Sequence, residues 1–347
     1  MSDLEELLEI AETVDAMLDE AASSQARAVL DEGTWRVLAE AGLRRVALPE
    51  SAGGSDGELA HLAVVLRRLG YHAASVPLLE DHLAAEVLAG QGIDVPLDVV
   101  TLSSRSDLVA HVGGSGATVT GSLRVPWGRV ASLVLAPAQT DSGVVLVALP
   151  VEAGELTPRV NVAGEPRDIL RYQDVAPVAE ITSSEAVAGL RSGVLVYRSL
   201  AMLGAGERAL DLTISHVTNR TQFGRPLAHR QVVQQYIAEM FGALTATRAA
   251  SDAAVVALAD RSGSRTLAAA LATRVEADRM ASLVGRLSHQ LHGAIGFTQE
   301  HPLYLSTTRL TAWRQDDLSE AACARELSQL VPGLGGPWET LTGRARA

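Results

Sequence analysis

The chain has 347 residues, of which 47% are hydrophobic and 20% are charged, and its formal net charge is −12. This length allows two or three modules with a substantial core, and the acidic balance argues against a nucleic-acid surface, which needs basic patches to neutralise phosphates. No apolar run approaches 18 residues, so no transmembrane helix is predicted. Because residues 1–21 are acidic and amphipathic, unlike a signal peptide, the cytoplasm is the expected compartment.

Lysine is absent from the sequence and cysteine occurs once, which excludes several kinds of functional site. All 29 lysine-or-arginine positions are arginine, which removes Schiff-base lysine chemistry and the lysine of a phosphate-binding P-loop. The single cysteine, Cys323, cannot form an internal disulfide or a cysteine-based zinc site. The C-terminal part of the chain contains no Glu-x-x-His pair of the kind that binds metals in helical bundles. No metal site is therefore predicted.

The first part of the chain has the apolar spacing of helices. Residues 2–46 are predicted to form two helices, and the helical pattern resumes at 58–70 and at 77–91. Between them, ALPESAGGSDG (47–57) is a turn cluster by its Pro, Ser and Gly content. Residues 1–96 are therefore predicted to be an N-terminal helical domain.

After this domain the sequence first becomes strand-like and then helical again. Short segments rich in Val, Thr and Leu, separated by Gly, Pro, Ser and Asp, predict a small β-domain over 97–185. Long apolar-periodic stretches at 191–220, 227–260 and 264–294 have short connections and predict an antiparallel four-helix bundle over 186–347. The predicted fold class is thus α+β and mainly helical.

The segment RTQFGRPLAHRQ (220–231) concentrates positive charge at a break between two predicted helices. Gly224 and Pro226 interrupt the pattern, and Pro226 suits the first turn of the next helix. Free backbone N–H groups at a helix start favour an anion, and guanidinium groups bind phosphate in bidentate fashion. On these residues alone, a polar connection between helices and an anion-binding corner are both open. The segment contains three arginines: Arg220, Arg225 and Arg230.

Three segments resemble signatures of the acyl-CoA dehydrogenase family. RTQFGRPLAHRQVVQQYIAEM resembles its Arg-x-x-Phe-Gly turn, which leads through Pro-Leu and a Gln into a helix. QLHGAIGFTQEHP (290–302) resembles its Gln-x-x-Gly-Gly-x-Gly-[Phe/Tyr] loop and the following Glu-x-Pro, and ALPESAGGSDG resembles its Pro-Glu-x-x-Gly-Gly loop more weakly. The resemblance covers essentially the whole chain, including the order of helical, β and helical modules.

The resemblance implies FAD as a cofactor, held where two subunits meet. Arg220 would pair with the diphosphate, Gln222 would hydrogen-bond nearby, and Phe223 would pack on the adenine side. Ala294 replaces the second glycine of the family loop, which is tolerable if the backbone angles suit alanine. The remaining residues that match FAD-contacting positions are Arg230, Gln231, Gln290, His292, Gly293 and Ala294.

The family's reaction is α,β-dehydrogenation of an acyl-CoA thioester, in which a carboxylate removes the α proton and the β hydride goes to the flavin. The usual base is a Glu in a Glu-Gly-Thr segment, and that position falls on Asp317, in WRQDDLSE, without the Gly and Thr. A shift of one residue would select Asp316 instead, and a solvated acidic turn without chemistry is equally open. Some members place the base earlier, before an arginine, and here that pair is Val194 and Leu195.

The flavin-side segments of the β-domain are also reduced. The family's Thr-Glu-Pro and Gly-Ser-Asp elements survive only as VTLSSRSD (100–107), and its Trp-Ile-Thr segment as RVPWGRVAS (124–132). An intact ADP-binding half beside a degenerate catalytic half resembles subunits of bacterial α2β2 acyl-CoA dehydrogenases that act on steroid side-chain CoA thioesters. The implied partners are an acyl-CoA substrate, an electron-accepting flavoprotein or another acceptor, and either identical chains in a homo-tetramer or a second dehydrogenase-like chain.

Three functions stay open at this point. The first is an FAD-dependent acyl-CoA dehydrogenase, alone or as one subunit. The second is a non-catalytic partner that only completes the FAD site. The third is an oxygen-using flavoenzyme on the same scaffold.

Overall fold

A computed structural model describes residues 3–21, 30–113, 116–222, 224–261 and 263–336. These residues form a mainly helical protein with one small β-domain, which confirms the predicted fold class. The chain divides into two compact units, one made of Met1–Leu62 and Ser75–Val194 and the other of Ala63–Ala74 and Leu195–Ala347. The predicted domain boundaries at residues 96 and 185 remain predictions.

The helices of the first unit follow the predicted pattern closely. Asp31 caps the second helix by accepting a hydrogen bond from the Thr34 backbone N–H at 3.0 Å, as short polar side chains do at helix starts. The fourth helix is buried along most of its length, including Glu80, Asp81 and His82, and its apolar residues are not confined to one face. In chain order the helices are α1 (Asp3–Ala21), α2 (Glu32–Glu40), α3 (Leu59–Tyr71), which continues into the second unit, and α4 (Leu78–Gly90).

One buried carboxylate ties α4 to the surrounding loops. Asp81 accepts hydrogen bonds from Arg44 (2.8 Å) and Arg45 (3.1 Å) and from the backbone N–H of Val100 (2.9 Å). Its side chain is fully buried, so the two guanidinium groups compensate a charge that would otherwise be costly to bury.

The β-domain is one eight-stranded sheet that is mostly antiparallel. Seven strands lie in the order β6-β7-β3-β2-β4-β5-β8, and β1 pairs in parallel with β4. Its core is made of buried Val, Leu and Ala side chains such as Leu108, Val134 and Leu170. The strands are β1 (Val100–Leu102), β2 (Val109–Gly113), β3 (Gly116–Pro126), β4 (Leu133–Thr140), β5 (Gly143–Pro150), β6 (Glu155–Thr157), β7 (Arg167–Val175) and β8 (Ala179–Ile181).

The second unit is the helical bundle. Its helices are α5 (Ser184–Asn219), which begins in the first unit, α6 (Gln231–Asp260), α7 (Ser264–His292), α8 (Leu303–Gln315) and α9 (Glu320–Leu330). Helix α7 packs against α6, α8 and α9. On α5, a Cβ atom added at Gly204 would lie 1.8 Å from the Arg67 carbonyl oxygen, so only glycine allows α5 to approach α3 this closely.

Helix α5 is unusually long and apolar. Within the described part of the chain it is the one helix long and apolar enough to span a membrane by those criteria, and 72% of its most apolar window is buried inside the protein. Burial of this kind is the property of a core helix.

Candidate functional site

Residues 220–231 form a small hairpin rather than a simple turn. Strand β9 (Thr221–Gln222) pairs antiparallel with β10 (Arg225–Pro226), and the Leu227 N–H donates to the Arg220 carbonyl oxygen at 2.9 Å. Gly224 turns the chain with φ +80°, in the left-handed region that glycine tolerates. The prediction that Pro226 lies in the first turn of the next helix is wrong, because a single 3₁₀ turn (Leu227–His229) intervenes before α6 begins at Gln231.

The hairpin presents positive charge to solvent. Arg220 and Arg225 are exposed, and neither pairs with an acidic side chain among the described residues. Arg230 occupies the N-cap of α6, where its side chain makes no capping hydrogen bond, and the first turn of the helix has no acidic residue. Exposed guanidinium groups such as those of Arg220 and Arg225, close to a helix start, form an anion-binding surface. Phe223 lies outside the described residues.

The second predicted segment follows the end of α7. Gly293 ends the helix with φ +65° and has open space where a Cβ would lie, whereas Ala294 has no positive φ and is therefore compatible with its substitution for glycine. The chain then makes a 3₁₀ turn from Gly293 to Phe297, in which Gly296 packs against the Cβ atom of His292. Gln290, Gly293 and Ala294 are exposed, while His292 is buried.

Exposed glutamines complete the polar surface of both segments. Gln222 of β9, Gln231 at the start of α6 and Gln290 at the end of α7 form no side-chain hydrogen bond with another described residue. Their amides are therefore open to an external ligand.

The two segments lie next to each other within one chain. His216, in the last turn of α5 and four residues before Arg220, stacks on the His292 ring with 4.4 Å between ring centroids. This brings the arginine hairpin close to the end of α7 in space, although about seventy residues separate them in sequence.

The predicted base, Asp317, lies after α8 and is engaged in an ion pair. Its carboxylate is 3.6 Å from the Nε atom of Arg198 on α5, and the two side chains are only 11% and 6% exposed. Asp317 also has φ +60°, an uncommon conformation for a residue other than glycine. Sequence reasoning missed Arg198, whose only local signal is a single charge within the apolar run GVLVYRSLAML.

The position at which some family members place the base earlier in the chain is apolar here. An acidic residue further along the same helix, Glu207, has a structural role. Val194 and Leu195 are each 1% exposed. Glu207 lies further along α5 and binds Arg67 of α3 at 2.6 Å and Arg248 of α6 at 2.5 Å. It therefore joins three helices through ion pairs.

In the β-domain, the segments that correspond to the family's flavin side form hydrogen bonds within the domain itself. The Thr101 hydroxyl donates to the Pro126 carbonyl at 2.6 Å, and the Ser103 hydroxyl donates to the Arg124 carbonyl at 2.9 Å. Trp127 is 3% exposed with φ +58°, so it is a packed residue of the sheet domain.

Comparison with known proteins identifies the class. Residues 4–94 match the acyl-CoA dehydrogenase N-terminal domain, and residues 196–313 match the acyl-CoA dehydrogenase C-terminal domain. The chain therefore belongs to the acyl-CoA dehydrogenase family, and the resemblance seen in the motifs is confirmed.

Individual relatives agree with this assignment. The chain is 30% identical over 313 residues to acyl-CoA dehydrogenase IpdE2 of Mycolicibacterium smegmatis, which covers 88% of this chain and 91% of that protein. A variant of the Tcur3481-Tcur3483 steroid ACAD superposes with a TM-score of 0.87 at 25% identity, over 95% of this chain and 98% of that one. The ChsE4-ChsE5 complex from Mycobacterium tuberculosis gives a TM-score of 0.85 at 22% identity, over 93% and 96% of the two chains, and so shows the same fold.

Proposed function

We propose that this chain is one subunit of an FAD-dependent acyl-CoA dehydrogenase, assembled with a second chain of the same family. The observation that carries the proposal is the exposed pair Arg220 and Arg225, which have no acidic partner among the described residues and lie beside the loop that ends α7. In a protein with a net charge of −12, arginines without acidic partners point to an anionic ligand.

The described residues fit the diphosphate and ADP portion of FAD. Arg220 supplies a guanidinium fork, and the uncapped start of α6 supplies backbone donors. Gly293 leaves open space above its backbone, which allows close approach by a ligand. The residues that would hold the cofactor are Arg220, Gln222, Phe223, Arg230, Gln231, Gln290, His292, Gly293 and Ala294.

When bound, FAD would accept the hydride from the β carbon of the acyl thioester. This chain's candidate for removing the α proton is Asp317. Its carboxylate would need to leave Arg198 at least partly, because protonating it in place would leave a buried guanidinium without its counter-ion.

That same ion pair favours a second candidate function, in which this chain completes the FAD site while its partner supplies the base. A carboxylate held by a buried arginine is suited to fixing the α8–α9 connection against α5. The apolar pair Val194 and Leu195 offers no substitute base at the earlier position. Both candidates place the activity in the complex.

Similarity to known family members suggests which substrate class and which electron acceptor to test. The steroid ACAD among the solved relatives points to a steroid-derived acyl-CoA as the first substrate to test. An electron-accepting flavoprotein or another acceptor would reoxidise the flavin. The expected compartment is the cytoplasm.

The two candidates are separated by Asp317→Asn in the assembled complex, with Asp316→Asn as the matched control. If Asp317 is the base, the variant keeps its flavin but loses acyl-CoA-dependent bleaching, while the control retains it. Full turnover by Asp317→Asn would remove this residue from the mechanism, and full turnover by Asp316→Asn as well would assign the base to the partner. A complex without bound flavin would contradict the proposed function itself.

A further inference from the structure

Three histidines from separate parts of the chain converge in the helical bundle. His216 lies in the last turn of α5, His292 is the last residue of α7, and His301 lies just before α8. The His292 ring centroid is 4.4 Å from that of His216 and 4.5 Å from that of His301. One ligand nitrogen from each ring lies within 4.8 Å of the other two.

The tautomer of His292 is fixed by the backbone. Its Nδ1 atom is 2.8 Å from the Ser288 carbonyl oxygen, which can only accept, so Nδ1 carries the hydrogen and Nε2 carries a lone pair. Nε2 is buried and has no hydrogen-bond partner among the described residues, and the residue as a whole is 6% exposed. Metal-binding histidines commonly donate their second ring N–H to a backbone carbonyl in this way.

The His216 ring forms no hydrogen bond with another described residue. The Nδ1 atom of His301 accepts a hydrogen bond from the Leu303 backbone N–H at 3.2 Å, so a metal ion bound at this atom would replace that donor. Histidine binds metals through a lone pair on a nitrogen of the neutral imidazole. A buried nitrogen acceptor without a partner costs free energy, which a bound cation would recover.

We propose that His216, His292 and His301 bind one divalent transition-metal ion, with zinc as the best-suited ion. Imidazole nitrogen suits zinc, copper and nickel, whereas calcium and magnesium require oxygen ligands. Three protein ligands leave a fourth position for water or a ligand atom, as in zinc sites of the open type.

The three histidine rings lie close together, but they must move closer to bind one metal ion. Tetrahedral zinc with bonds of about 2.0–2.1 Å places its nitrogen ligands roughly 3.4 Å apart, so the rings must approach one another from separations of up to 4.8 Å. His216 and His301 are only partly buried, which leaves room for these side-chain rotations. His292 is also one of the residues proposed to hold FAD, but the test below measures metal binding and not flavin content, so failure of the metal site and failure of the proposed function are distinguishable.

The test is metal titration of the untagged full-length protein after treatment with a chelator. Cobalt(II) reports tetrahedral coordination through its visible absorption, and zinc is then added to displace it. The expected result is one cobalt per chain, displaced by one equivalent of zinc. His216→Ala and His301→Ala should each weaken zinc binding by roughly tenfold or more.

Variants at the two partly buried positions keep the test informative even if the buried His292→Ala fails to fold. Circular dichroism checks that each variant is folded, and His111→Ala, an exposed histidine of β2, is the matched control and should bind like the unmodified chain. Absence of a stoichiometric site, or equal zinc affinity in all four proteins, would show that the histidines are a packing cluster and would overturn the proposal.

Discussion

At the scale of single residues, Arg220 is the side chain on which the proposed cofactor site depends most. It is exposed, and it pairs with no acidic side chain among the described residues, so its replacement should disturb a ligand more than the fold. Arg220→Ala is expected to lose FAD, while the unfolding free energy of the flavin-free chain changes by no more than about 0.5 kcal/mol. Flavin absorbance per mole of complex and chemical denaturation measure the two effects.

Arg265→Ala is the matched control for this change, since Arg265 is exposed at the start of α7. The control should keep its flavin. Undiminished flavin in Arg220→Ala would show that the hairpin does not hold the cofactor.

A second prediction at the residue scale concerns the ion pair of Arg198 and Asp317. Both side chains are largely buried, so Arg198→Met should leave an uncompensated carboxylate and lower the unfolding free energy by about 3 kcal/mol. The double variant Arg198→Met, Asp317→Asn removes both charges and should recover part of this loss. Equal stability of the single variant and the unmodified chain would mean that the pair is not formed in solution.

At the scale of elements, the packing of α5 on α3 depends on a glycine. A side chain at Gly204 would meet the Arg67 carbonyl oxygen at 1.8 Å, and this contact is with backbone, which cannot rotate away. Gly204→Ala is expected to destabilise the protein by about 3 kcal/mol, as overpacking does. Urea denaturation gives the value.

The same helix offers a control with the opposite expected sign. Gly189 is exposed and has open space at its Cβ position, so Gly189→Ala should stabilise α5 by about 0.5–1 kcal/mol. If Gly204→Ala and Gly189→Ala change the stability alike, α5 and α3 do not approach each other this closely in solution.

The elements themselves were largely predictable from sequence. The patterns at 58–70 and 77–91 correspond to α3 at Leu59–Tyr71 and α4 at Leu78–Gly90, because apolar spacing at 3.6 residues is a strong signal over three turns. The hairpin of β9 and β10 was missed, since strands of two residues have no periodicity to detect. Gly224 indicated a turn there but not its pairing.

At the scale of the whole molecule, the motifs predicted the candidate cofactor residues, while tertiary contacts added what the sequence could not show. Arg198 and Asp317 are far apart in the chain, and so are His216 and His292, so no local pattern joins either pair. The available signals were weak ones: a charge in an apolar helix, and histidines within and beside a recognisable loop. The prediction that the chain holds no metal site rested on the single cysteine and on the lack of one helical motif, neither of which a site of three histidines from separate elements requires.

The central claim is that this chain completes an FAD site together with a second acyl-CoA dehydrogenase-like chain. The most direct measurement is the flavin absorbance of the purified protein, expressed alone and together with such a chain from the same organism, before and after addition of an acyl-CoA. We expect stoichiometric FAD and acyl-CoA-dependent bleaching only for the co-expressed complex. Stoichiometric FAD and bleaching in this chain alone, or no flavin in either preparation, would contradict it.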